Sequence, residues 1–224
     1  MRIATIATCL LLGLALLGPG SALAQEPQVP KVDQQFSLEK ENRIKQLDAL
    51  TVPAVFEGLR SAEFFDEEAY LNKAIYEALG PRSTDALQVA LGYVRSTQAQ
   101  LSPEASQNLY LAKKFFQIFP DESLESLLDL YSSGGPKIRR NVIYAIGQMA
   151  GGQAIKALLI HALDDGDYCE ESTAESIGEP LRVCDMAYNQ LVIRYNVKDV
   201  LRTIGTIHSI EVRDYHIAKL KGLL

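Results

Sequence analysis

Tryptophan is absent from the 224 residues, and cysteine, methionine and histidine occur three times each. The histidines are His161, His208 and His216. No H-E-x-x-H, C-x-x-C, G-x-S-x-G or phosphate-cradling glycine loop occurs, which excludes a zinc peptidase, dithiol, nucleophile-elbow or nucleotide site written as a local motif. Ser37-Leu38-Glu39-Lys40 matches S-x-x-K, but no K-T-G accompanies it, and Ser37 reads as a helix N-cap. Basic clusters are also missing. Acidic residues outnumber basic ones 28 to 22, a net charge of −6, which argues against nucleic acid and against anionic membrane surfaces as partners. No stretch alternates at period two for long enough to make a strand. Beyond the N-terminus no long apolar run exists, so no membrane insertion is expected there.

The N-terminus is the exception. Arg2 gives a positive start, Ile3 to Leu17 an apolar core, and Ala22-Leu23-Ala24 a small-x-small site, the pattern of a secretory signal peptide over residues 1–24, cut after Ala24. Gln25 to Phe36 is rich in Gln and Pro and without periodicity, a flexible linker. With only Arg2 charged in the first 24 residues, the remainder holds 21 basic and 28 acidic residues, net −7. The expected location is the periplasm or outside the cell.

What fills residues 37–224 is helical periodicity. Pro136 suits a first helical turn, where its missing N–H would be unpaired anyway. Ile138, Val142, Ala145, Ile146 and Met149 then share a face, and Gly151-Gly152 breaks the run. A second face follows in Ile155, Leu158, Leu159, Ala162 and Leu163. Similar pairs are expected over 37–59, 67–96 and 102–131, with bulky Leu109, Phe115, Phe116 and Phe119 in the last. A fifth is expected from Pro180 through Val200, Leu201 and Ile204, and Ser209 to Leu224 closes as a lone helix. The small-plus-aliphatic pair opening each second helix recurs at Ala86, Ser123, Ala154 and Val200, steps of 37, 31 and 46 residues. The first two suit a helical-hairpin repeat and the third contains an insertion.

The run I-R-R-x-x-x-x-A-I-G-x-M-A-G-G-x-A-I-x-A-L-L, within Pro136 to Leu163, resembles a HEAT repeat of the bacterial kind. That resemblance implies an all-α fold: a right-handed α-solenoid of about five stacked antiparallel hairpins over 37–224. It also implies a binding role more than a catalytic one.

Asp164 to Glu179 interrupts the array with seven carboxylates: Asp164, Asp165, Asp167, Glu170, Glu171, Glu175 and Glu179. The order is not the D-x-D-x-D-G of a calcium loop. The insertion is an acidic surface for a basic partner or a solvated connector, with a calcium site as the least expected reading. With Cys9 in the signal peptide, Cys169 and Cys184 remain, and in an exported protein two cysteines most simply form one disulfide.

The function expected from these features is a non-catalytic periplasmic protein-protein interaction module, a scaffold or adaptor, with no cofactor and no metal. Its partner-binding surface would include Arg139, Arg140 and Tyr144 on the helix faces and Asp167, Glu170 and Glu171 in the insertion. Two alternatives stay open. One is a periplasmic inhibitor or immunity protein against a secreted enzyme. The other is an enzyme with a site distributed over the solenoid, for which His161 with Asp164 or Asp165 is the candidate.

Overall fold

Three of the described helices start at a serine cap that the sequence supplies, Ser37, Ser102 and Ser209. In the computed structural model, which describes residues 28–30, 32, 35–96, 102–170 and 178–224, Ser37 Oγ accepts the Lys40 N–H and opens α1 (Leu38–Asp48). Ser102 does the same for the Ala105 N–H at 3.1 Å, with Pro103 in the first turn of its helix. The expected signal peptide and part of the linker lie outside the described residues.

The described residues are all-helical, with one isolated antiparallel bridge and no strand. None of the described helices is long and apolar enough to cross a membrane. They form two compact units, Gln28–Ala150 and Gly151–Leu224. The boundary falls at the glycine break inside the segment that most resembles a HEAT repeat.

In the first unit, α1 is followed by α2 (Val52–Gly58), the single turn α3 (Ala62–Phe65), α4 (Glu68–Leu79), α5 (Ser83–Arg95), α6 (Pro103–Ile118), α7 (Pro120–Ser133) and α8 (Pro136–Ile146). α1, α4, α6 and α8 pack each on the next, and so do α2, α5 and α7. The unit is therefore two layers, built by alternation along the chain. Helices of the first layer begin at Leu38, Glu68, Pro103 and Pro136, steps of 30, 35 and 33 residues. Phe115 sits between the layers with no exposed surface, 4.9 Å from Phe119, 5.9 Å from Phe116 and 6.4 Å from Phe56 between ring centres.

In the second unit α9 (Gly152–Ala162) packs on α10 (Val183–Arg194), and α10 on α11 (Ile210–Lys221). Gly151 (φ 151°) and Gly152 (φ 54°) hold backbone angles that side chains with a Cβ rarely take, which is why glycine stands there. The expected helix through Val200 to Ile204 is not formed. Asn196 (φ 48°) and Asp199 (φ 65°) turn the chain left-handed, and neighbouring side chains satisfy the strap that follows. Asn189 donates to the Ile204 carbonyl at 2.9 Å and accepts its N–H at 2.8 Å, and Tyr188 Oη donates to the Leu201 carbonyl at 2.6 Å. A strap so provided for gains little by becoming helical.

His216 Nδ1 accepts the Leu201 N–H at 3.4 Å, a role open only to the neutral ring. Burial first, then Lys219 and His208, lower its pKa below the usual 6.5. The unfolded chain therefore binds this proton more readily, so the contact's stabilisation is whole above pH 6.5 and is lost as pH falls toward the folded value. Unfolding curves at pH 7.5 and pH 5 should show the decline, and His216→Gln should remove this histidine's share of the slope.

The insertion is held by its backbone. Tyr168 bridges Arg182, the Cys169 N–H donates to the Leu181 carbonyl at 2.9 Å, and the Val183 and Cys184 N–H groups donate to Asp167 and Asp165 at 3.0 and 2.9 Å. These bonds form an antiparallel stem flanking residues 171–177 in sequence, which lie outside the described residues. The expected disulfide is absent: Cys169 and Cys184 are both buried and not bonded to one another. Cys169 Sγ is directed at the Leu181 carbonyl, 3.3 Å away. Burial, with the charge of Asp185 adding to it, pushes the Cys184 thiol up to about 11, which keeps it protonated and unreactive at neutral pH.

Behind that stem lies a buried ionic cluster. Asp185, fully buried in the first turn of α10, accepts from Arg182 N–H at 2.9 Å, from Arg182 Nη2 at 2.9 Å and from Arg213 Nη1 at 2.6 Å. Arg213 has no exposed surface and also donates to the Pro180 and Glu179 carbonyls, both at 3.0 Å. Arg182 reaches Asp214 at 2.7 Å. Burial alone would lower the Arg182 pKa, but its bonds to Asp185 and Asp214 more than offset that and hold it above the usual value.

Candidate partner-binding face

The first-layer helices α6 and α8 run side by side in register. Lys113 Nζ of α6 lies 4.8 Å from the centre of the Tyr144 ring of α8, and one turn on Gln117 Nε2 donates to Gln148 Oε1 at 3.2 Å. Arg140 is one turn before Tyr144 and so shares its face. Each arises from the same rule: the apolar residues of a helix turn inward, and the positions between them are left at the edge. On α6 those edge positions are Tyr110 and Lys113, both half-buried, and on α8 they are Arg140 and Tyr144, also half-buried.

Asn141 anchors this edge. It is almost wholly buried, and its Nδ2 donates to the carbonyls of Val94 at 2.9 Å and Ser96 at 3.1 Å, capping the end of α5. Its Oδ1 accepts from Arg140 Nε at 3.2 Å and Nη2 at 3.0 Å, so the guanidinium is aimed by a fixed amide. Lys114, 4% exposed, pairs with Glu68 of α4, and its Nζ lies 5.4 Å from the Tyr110 ring, which meets Phe65 at 5.3 Å. Burial, then the charge of Lys114, lowers the Lys113 pKa, while Glu68 acts against them. Burial, then Tyr110, raises that of Tyr144.

The arrangement presents two phenols and two cations on one half-exposed surface. That is recognition chemistry: large apolar bodies with polar tips beside fixed positive charge.

No protein-family model, curated protein or solved structure matches the chain.

Of the residues expected to bind a partner, Tyr144 is brought against Lys113, and Arg140, one turn away on the same helix face, bonds to Asn141. Arg139 is half-buried on the same helix and donates Nη1 to the Gly134 carbonyl at 3.0 Å, a bond within its own helix start. Asp167 and Glu170 belong to the second unit, Asp167 exposed and Glu170 partly so, and Glu171 lies outside the described residues. Asp164 pairs with Lys221 at 2.5 Å. Among the described residues no group of three or more His, Cys, Asp or Glu is placed to hold a metal ion, and His161 is exposed at the end of α9.

Lys113 and Tyr110 were not singled out by the sequence. The signal was present in the spacing, since Tyr110, Lys113, Lys114 and Gln117 recur at three and four residues and form a polar stripe beside the apolar one. Which of those side chains meets another helix depends on the register of α6 against α8, which spacing within one helix does not contain.

Proposed function

We propose that this chain is an exported, non-catalytic protein-binding module whose first unit is a HEAT-like stack of helical hairpins. The observation that carries the reading is the half-exposed edge of α6 and α8, where Lys113 lies on Tyr144 beside an amide-aimed Arg140. The alternation of two helix layers at steps of 30, 35 and 33 residues supports the repeat reading. Stacked hairpins bury each helix against its neighbours and leave long edges for a ligand. The signal-like N-terminus supports a periplasmic site of action.

Affinity capture of the protein from its own periplasm tests the reading, with wild type compared with Tyr144→Ala and with Asp167, Glu170 and Glu171 changed together to Ser. One stoichiometric partner, lost with Tyr144→Ala and retained by the triple variant, is the expected result. Loss with the triple variant alone would move the site to the insertion. No partner from any form would sink the binding reading.

A further inference from the structure

Among the described residues, two cations on the α6–α8 edge form no ion pair. Lys113 Nζ rests on an aromatic ring, and Arg140 spends its Nε and one Nη on a neutral amide. Among the described residues, neither has a carboxylate within ion-pair distance. Both are half-buried, so each has lost part of its water without gaining an ion pair, an arrangement that costs stability. The next residue shows the alternative: Lys114, more deeply buried, is given Glu68. The lowered proton affinity of Lys113 has the same origin, burial and a like charge beside it.

Building on the binding reading above, we propose that this edge receives a short acidic peptide segment of a partner protein. One of its carboxylates would pair with Lys113 Nζ and another with the Arg140 guanidinium, and Tyr110 and Tyr144 would pack on the stems between. A guanidinium fork fits a carboxylate, and cation and ring together suit the carboxylate and methylene parts of a Glu side chain. Nucleic acid fits poorly. Its affinity is assembled from many phosphate contacts, whereas this edge offers two unpaired cations beside Glu68 on a chain of net charge −6.

The test uses fluorescein-labelled octa-glutamate, with octa-glutamine and an eight-residue oligothymidylate as comparison probes, read by anisotropy against the whole protein at low salt. Saturable binding of octa-glutamate is expected, weakened roughly ten-fold by Lys113→Gln and by Arg140→Gln, the loss of one charge-assisted contact each. Lys45→Gln, an exposed position on α1, should leave it unchanged. Both comparison probes should bind at least roughly ten-fold more weakly. Circular dichroism of the variants, which should match wild type, separates lost contacts from lost fold. Equal binding of octa-glutamate to wild type and both edge variants would overturn the proposal, as would oligothymidylate binding as tightly, or no octa-glutamate binding. Self-association of the protein that vanishes with Lys113→Gln would also overturn it, by making the occupant a second copy. A captured partner that tolerates both edge substitutions would remove the acidic-segment proposal and leave the binding reading standing.

Discussion

Replacing Asp185 with alanine is expected to cost about 3–5 kcal/mol of unfolding free energy. Asp185 is the shared acceptor of Arg182 and Arg213, and both it and Arg213 are without exposed surface. Removing it leaves the Arg213 guanidinium buried with, among the described residues, only the Pro180 and Glu179 carbonyls as partners. A carbonyl dipole does not replace a full charge at 2.6 Å. Far-UV circular dichroism during urea unfolding reads the effect directly, which matters in a chain without tryptophan. The pair's own net worth is a separate quantity. Replacing Asp185 by Leu together with Arg213 by Met removes both charges and should recover much of the loss, because an apolar pair has no desolvation to offset. A loss below about 1 kcal/mol for Asp185→Ala would mean that water reaches Arg213 once the carboxylate is gone.

The second large effect concerns the other unit. Phe115→Ala should lower its stability by about 3–5 kcal/mol, the range for truncating a buried phenylalanine. The ring touches aromatic neighbours from both layers, Phe56 on one side and Phe116 and Phe119 on the other. They are rigid, so the space it leaves would not close easily. Phe115→Leu, which refills most of that volume, should cost less than half as much. Equal losses for the two variants would point to the ring-ring geometry, rather than the volume, as what is being lost. Tyr76→Ala gives the contrast. Its ring stacks on Phe119 at 6.0 Å but is 49% exposed, so the change should be well under that for Phe115.

The helices were legible because their signals are local. Ser37 and Ser102 cap, Pro103 and Pro136 sit in first turns, glycines stand at the break after Ala150, and the apolar residues recur at three and four. Each of these is decided within a few residues of chain. The fifth hairpin was misread for the same reason. Val200, Leu201 and Ile204 look like half a helical face, but Asn189, Tyr188 and His216 bind the backbone of that strap from other helices. The disulfide was inferred from compartment and count, and neither says where a thiol points.

The proposed binding edge was half legible. Arg140 and Tyr144 stand out beside an apolar stripe, and tyrosine and arginine are the residues recognition surfaces favour. Lys113 became part of the edge only through the 4.8 Å contact between α6 and α8. That it forms no ion pair among the described residues is likewise a fact about neighbours, because nothing in its own sequence says that Glu68 is taken by Lys114.

The sequence by itself determined that this protein is helical, that most helices of the first unit are short and amphipathic, and where most of them start and stop. Those properties follow from backbone sterics, capping and the 3.6-residue period, all of which act over one or two turns. The tertiary structure decided that Arg213, in what the sequence reads as a lone closing helix, is one of the most deeply buried side chains of the second unit. An arginine is placed inside only where a carboxylate already waits, and Asp185 lies 28 residues away along the chain. The tertiary structure alone also separated Lys114, paired with Glu68, from Lys113, which forms no ion pair among the described residues. Charge pairing acts across space rather than along the chain, so the sequence names the charges and the fold assigns their partners.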